Sequence, residues 1–73
     1  MNYAIEQRLS FIDFLLFQYG EINRSALTEY FGISVPQASG DLRDYMKMAP
    51  DNMRYSTTDK VYKRNPEFKR VWA

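Results

Sequence analysis

The sequence predicts a mainly α-helical domain closed by a small β-hairpin, and three observations predict it. Apolar residues between Tyr3 and Tyr19 recur at helical spacing. Two further helical segments are joined by "FGIS", a glycine followed two residues later by a serine. Two short runs of strand-forming residues, "MRYS" and "VYKR", come after a proline-containing stop. With 73 residues the chain holds one domain at most, and a domain of that size buries only about 60% of the surface its unfolded chain exposes. No cysteine is present, so neither a disulfide nor a thiolate metal site reinforces the small core.

The first helix is expected over residues 3–19, where Ile5, Leu9, Ile12, Leu16 and Tyr19 form one core stripe at alternating steps of four and three. Phe11 and Leu15 flank that stripe, whereas Phe14 and Phe17 fall on nearly the opposite side, so the helix has two apolar faces. Gly20 ends it. Asn23 is placed to cap a second helix over 24–31, with Ala26, Leu27, Tyr30 and Phe31 on its apolar side and Gly32 at its end. Ser34 caps a third, over 34–48, carrying Pro36 in the first turn, where a missing N–H removes no helical bond. Val35, Ala38, Leu42, Tyr45 and Met46 share its core arc, and Ala49-Pro50-Asp51-Asn52 stops it. A hairpin follows over about 53–64, connected by Thr57-Thr58-Asp59-Lys60. At least two of Tyr55, Val61 and Tyr62 are expected to pack on the helices. A tail, 65–73, mixes basic and aromatic residues after a turn at Asn65-Pro66.

Three helices and a two-stranded wing are the organisation of a winged helix-turn-helix, a fold class in which the third helix commonly enters the DNA major groove. The third helix is poorly built as a helix. Glycine in a helix interior costs roughly 1 kcal/mol relative to alanine, yet Pro36, Ser39 and Gly40 all lie within it. A surface that enters a groove about 12 Å wide benefits from small residues where the duplex comes closest, with longer hydrogen-bonding side chains between them. Pro36, Gln37, Ser39, Gly40 and Arg43 are therefore the candidate base-reading residues. Gln37 offers adenine both a donor and an acceptor, and Arg43 suits guanine or a phosphate. Arg24 and Lys47 on the helices, with Arg54, Lys60, Lys63 and Arg64 on the wing, are candidate phosphate contacts. Asp41 and Asp44 read as solvated surface charges.

Net charge is only +1, but its distribution is uneven. Up to Ile33 the charges are Glu6, Asp13, Glu21 and Glu29 against Arg8 and Arg24; from Lys60 onward they are Lys60, Lys63, Arg64, Lys69 and Arg70 against Glu67. That asymmetry favours a polyanionic partner. Histidine and cysteine are both absent, which removes the usual general base, thiol nucleophile and metal ligands and argues against an enzyme, a cofactor or a metal site. No apolar run approaches the ~20 residues of a membrane span and no basic leader precedes "IDFLLFQY", so a cytoplasmic protein is expected.

From "RLSFIDF" through "INR", "FGISVPQAS", "DL" and "AP" to the hairpin tyrosines and lysine of "YSTTDKVY", nearly the whole chain resembles the N-terminal winged helix of bacterial WYL-domain transcription regulators, in particular phage-defence-island repressors. "GIS" followed by "DL" is also similar to the wider DeoR-like class. The resemblance implies a homodimeric repressor whose third helix reads DNA through Ser34, Pro36, Gln37, Ser39 and Arg43. Such regulators continue into a ligand-sensing domain and a dimerisation domain, so effector sensing is not carried over to this sequence.

The second apolar face of the first helix needs a cover. Either the tail folds back over Phe14 and Phe17, or a second subunit packs there with help from Phe68 and Trp72; the homodimer is the expectation, because it would also place two third helices on a palindromic operator. The alternative is a winged-helix protein-interaction module that never binds nucleic acid.

Overall fold

Asn2 opens the first helix by accepting the Ile5 amide on Oδ1 at 2.9 Å, and α1 then runs Tyr3–Tyr19 in the computed structural model, which describes residues 2–72. Gly20 takes a left-handed φ of 80° and returns its N–H to the Leu16 carbonyl at 2.9 Å, which turns the chain out of the helix. A two-residue strand, β1 (Glu21–Ile22), leads to Asn23, whose side chain accepts the Ala26 amide at 3.0 Å and starts α2 (Arg24–Phe31). Gly32, at φ 66°, closes α2, and Ser34 accepts the Gln37 amide at 3.2 Å to start α3 (Val35–Met48). Strands β2 (Met53–Ser56) and β3 (Val61–Arg64) form the hairpin.

The expected two-stranded wing is a three-stranded antiparallel sheet in the order β1-β3-β2. Glu21 pairs with Lys63 and Ile22 with Tyr62, while the Arg64 amide reaches the Gly20 carbonyl at 2.9 Å. β3 would otherwise present an open edge to α1; the extended link between the first two helices satisfies it.

Leu9, Ile12 and Leu16 of α1, Leu27 of α2 and Ala38, Leu42 and Tyr45 of α3 enclose the core, with Ile22 and Met53 closing it from the sheet. Three residues of the expected apolar faces do not join them. Tyr19, Tyr30 and Val35 are 70%, 69% and 52% exposed, because each lies toward a helix end where the core arc extends past the neighbouring elements; Tyr30 stacks on the Phe11 ring instead. The wing is likewise anchored differently from expectation. Tyr62 packs against the core, but Tyr55 is exposed and Val61 is only half-buried outside the cluster; Met53 supplies the second anchor.

Asp41, expected on the surface, is buried and takes a two-pronged hydrogen bond from Arg8, at 2.6 Å through Nε and 3.2 Å through Nη2. This pair joins α1 to α3. Asp13 is fully buried and makes a second joint. Its carboxylate accepts the Tyr45 hydroxyl at 2.5 Å, Arg70 Nε at 2.8 Å, and the amides of Val71 and Trp72 at 3.0 and 3.1 Å. Asn52 extends the cluster by donating to the Tyr45 oxygen and to the Lys69 carbonyl while accepting the Lys69 amide. The tail thus has no strand or helix to place it, and a set of polar bonds places it instead.

Burial alone would raise the Asp13 pKa, but the bonds from Tyr45, Arg70 and the two tail amides outweigh it and hold the carboxyl below its ordinary value of 3.8. A depressed folded value stabilises the protein above the unfolded pKa, and that contribution disappears as pH falls through the folded one. Stability should therefore hold steady above about pH 5 and fall below pH 4, as measured by acid titration of circular dichroism. Asp13→Asn should cost about 3–5 kcal/mol in denaturant unfolding, because it leaves Arg70 without its partner and turns an amide NH2 toward backbone donors. Its acid transition should be correspondingly flatter.

Candidate nucleic-acid interface

α3 is anchored along one side and open along the other. Ala38, Asp41, Leu42 and Tyr45 are buried, whereas Pro36, Gln37, Arg43 and Lys47 are exposed. The ion pairs among the described residues are Arg8–Asp41, Lys63–Asp59 and Arg70–Asp13, so neither Arg43 nor Lys47 is held by a carboxylate. The turn before α3 sets this face. Gly32 permits the left-handed exit from α2, Ile33 turns back against the core, and Ser34 spends its hydroxyl on the Gln37 amide.

Ser39 and Gly40 are half-buried in the middle of the same helix. Ser39 Oγ accepts a long bond, 3.4 Å, from Arg24 Nη1. Gly40 has ordinary helical backbone, and a Cβ added there would meet no atom within 4 Å. Neither backbone geometry nor internal packing requires the glycine, so its helix penalty of roughly 1 kcal/mol has no explanation inside the fold.

Beside this face, Asn23, Arg24, Ser39, Tyr55, Lys60 and Tyr62 line a cleft of about 230 Å³ between the start of α2, the middle of α3 and the wing. Arg24, Ser39 and Lys60, candidates from separate parts of the sequence, meet here. Tyr55 and Tyr62 were expected only as anchors. They face each other across the hairpin, their rings 4.9 Å apart and edge-on, because the register sets Ser56 opposite Val61 and Tyr55 opposite Tyr62.

The wing cations differ in what holds them. Lys60, exposed in the turn, has a left-handed φ of 57°, a conformation that costs a non-glycine residue roughly 1–2 kcal/mol. Lys63 is bound to Asp59 at 2.6 Å, a hydrogen bond that raises its pKa. Arg54 Nη1 donates to the Arg64 carbonyl at 3.1 Å and to Asn65 Oδ1 at 2.8 Å. Arg64 Nη1 donates to the Leu16 and Phe17 carbonyls at 3.3 and 2.9 Å, where a cation also complements the C-terminal end of the helix dipole. Arg64 thus clamps the sheet to α1 while Arg54 fastens β2 to the end of β3, roles their charge alone does not reveal.

On the far side of α1, Phe14 and Phe17 are 45% and 49% exposed. The Arg70 guanidinium carbon lies 6.0 Å from the Phe14 ring centre and 5.0 Å from that of Phe17. Phe68 and Trp72 are half-buried and pack against the core from the tail. The tail therefore covers these phenylalanines only in part.

Three helices around one core, a glycine-serine joint before an outward-facing third helix, and a sheet wing beside it define a winged helix-turn-helix domain. The chain belongs to the family described as the BrxR transcriptional regulator winged helix-turn-helix domain, whose model matches residues 4–73. It is 54% identical over 67 residues to a protein of Escherichia coli strain KTE188 named DNA-binding transcriptional repressor CapW, covering 92% of this chain and 22% of the relative. A protein of the same name from Pseudomonas aeruginosa is 52% identical over 67 residues, with the same coverage. Another from Stenotrophomonas maltophilia is 49% identical over 71 residues, covering 97% of this chain and 24% of the relative. The chain spans less than a quarter of the length of these curated relatives.

Gly40→Ala should raise stability by about 0.5–1 kcal/mol, read from thermal unfolding, because the methyl enters open space and the helix interior loses a glycine.

Proposed function

We propose that the chain is a sequence-specific DNA-binding domain of a transcriptional repressor, with α3 in the major groove and the wing turn against the phosphate backbone. Gly40 carries this reading: a destabilising glycine that nothing in the molecule needs, flanked on the exposed face by Gln37 and Arg43. A duplex supplies the missing reason, since close approach of a base edge or backbone leaves no room for a side chain there. Gln37 and Arg43 then make the base contacts, and Ser34, Pro36 and Ser39 keep the surface low. Lys60 supports the same reading, because a lysine held in a left-handed turn places its charge at the wing tip where glycine would cost less.

Arg24, Lys47 and Lys60 are the principal phosphate contacts in this proposal, with Lys63 adding charge next to Asp59. Arg54 and Arg64 contribute positive potential while their guanidinium groups remain clamped. The names of the relatives, each a DNA-binding transcriptional repressor, support the assignment. Enzymatic chemistry has no comparable support, and no group of three His, Cys, Asp or Glu able to hold a metal occurs among the described residues. Among those residues no helix is long and apolar enough to cross a membrane, and a repressor works where the DNA is, so the cytoplasm is the proposed location.

Selection of bound sites from a random duplex pool tests the reading. Gln37→Ala and Arg43→Ala should each lose discrimination at particular base pairs, by ~1–3 kcal/mol per bidentate contact. Gly40→Ala should lose affinity while gaining stability, opposite signs that a purely structural glycine would not give. Parent-like selectivity in all three variants would remove α3 as the reading element.

Phe14 and Phe17, with Phe68 and Trp72 at the margin, are proposed as a homodimer face, since half-exposed phenylalanines side by side on one helix are an association site. A two-fold axis there would present two α3 helices to half-sites ~34 Å apart on a palindromic operator. In sedimentation the parent should be dimeric and Phe14→Glu/Phe17→Glu a folded monomer with most of its operator affinity lost. A parent that stays monomeric at tens of micromolar and on DNA contradicts the dimer. Salt-insensitive binding to a protein, without DNA affinity, would instead favour an interaction module.

A further inference from the structure

We infer that the tail acts as a lever on the reading helix, with Asp13 as its joint. The inference rests on the reading of α3 as the DNA-contacting element. α3 is tied to α1 by polar side chains at two places. The Arg8–Asp41 pair, nearly buried, includes no atom of the tail. The other tie is the Tyr45 hydroxyl on Asp13, one helical turn further along α3. Both groups that receive the tail also bond Tyr45. Asp13 accepts Arg70 and the Val71 and Trp72 amides, and Asn52 donates to Tyr45 while bracketing the backbone of Lys69.

While the tail is docked, it seals the Asp13 carboxylate from water, and the low local dielectric strengthens the bond to Tyr45. Lifting the tail hydrates that carboxylate, and water competes for it. Tyr45 then loses its hold while Arg8–Asp41 keeps its own, so α3 turns about the latter pair and the face carrying Gln37, Gly40 and Arg43 is re-aimed. Bidentate base contacts tolerate little misalignment. Anything that pulls on the tail thereby changes DNA affinity without touching the DNA face, and Asp13, Tyr45 and Asn52 are positioning residues.

Two tail variants test this. Arg70→Ala removes the charged partner of Asp13, and Val71→Pro deletes one amide donor from an exposed residue; fluorescence of Trp72, the single tryptophan, reports release. Each should weaken binding to the duplex recovered by selection about 5- to 10-fold, within the range typical of coupled sites, with unchanged far-ultraviolet circular dichroism. Tyr45→Phe keeps the ring and cuts the joint, so in that background neither tail variant should change affinity further. Without DNA, the amide resonances of Gln37, Gly40 and Arg43 should move on tail release in the parent and stay still in Tyr45→Phe. Failure of every duplex to bind would overturn the DNA-binding reading while the resonance experiment still judged the lever. Tail release that leaves those resonances in place, or affinity losses that add unchanged to Tyr45→Phe, would overturn the lever.

Discussion

A fully buried aspartate governs how this small fold closes. Removing a carboxylate from water costs several kcal/mol even after the surroundings relax, and the cost is offset only when the lone pairs are well satisfied. Asp13 meets that condition with donors from α3 and from the tail, so one side chain of α1 fixes two elements that are distant in sequence. Hydrophobic burial holds the three helices together, but it is non-directional and would tolerate many placements of a tail that has no regular structure. The hydrogen bonds to Asp13 and Asn52 select one. Burial first, and then the bond to Asp13, raise the Tyr45 pKa against a smaller opposing effect of the Asn52 amide, so its hydroxyl stays protonated as the donor to Asp13.

The outer surface follows a different logic from the interior. Gly40 in α3 and left-handed Lys60 in the wing turn both cost stability, and no packing contact within the molecule requires the glycine. Lys60 lines the groove where Arg24, Ser39 and the tyrosine pair converge, and Gly40 follows Ser39 in α3. Locally unfavourable choices on an otherwise well-capped fold concentrate where a protein meets its ligand. The rigid core, the Arg8–Asp41 pair and the Arg64 clamp on α1 hold that surface in position.

Much of the architecture is legible in the sequence because its signals are local. Asn23 and Ser34 announce helix starts, Gly20 and Gly32 announce ends, and the four-three spacing of Leu9, Ile12 and Leu16 marks the buried stripe. Non-local features escape it. β1 has two residues and no periodicity; only the edge of β3, far along the chain, makes it a strand. Asp13 interrupts an apolar run and Asp41 sits among polar residues, so both look solvated until Arg70 and Arg8 arrive from elsewhere. Among the candidate site residues, the exposed face of α3 follows from angle alone. Charge did not distinguish Lys60, free at the turn, from Arg54 and Arg64, whose partners are carbonyls set by the tertiary fold.

In the proposed function, the face of α3 and the wing turn form one DNA surface, distinct from the phenylalanine face of α1. Titrating the labelled protein with the duplex recovered by selection, and following backbone amide resonances, tests it directly. The largest changes are expected at Gln37, Ser39, Gly40, Arg43 and Lys60, diminishing as salt rises. Changes confined to the surroundings of Phe14 and Phe17, with Gln37, Gly40 and Lys60 unmoved at saturation, would contradict it.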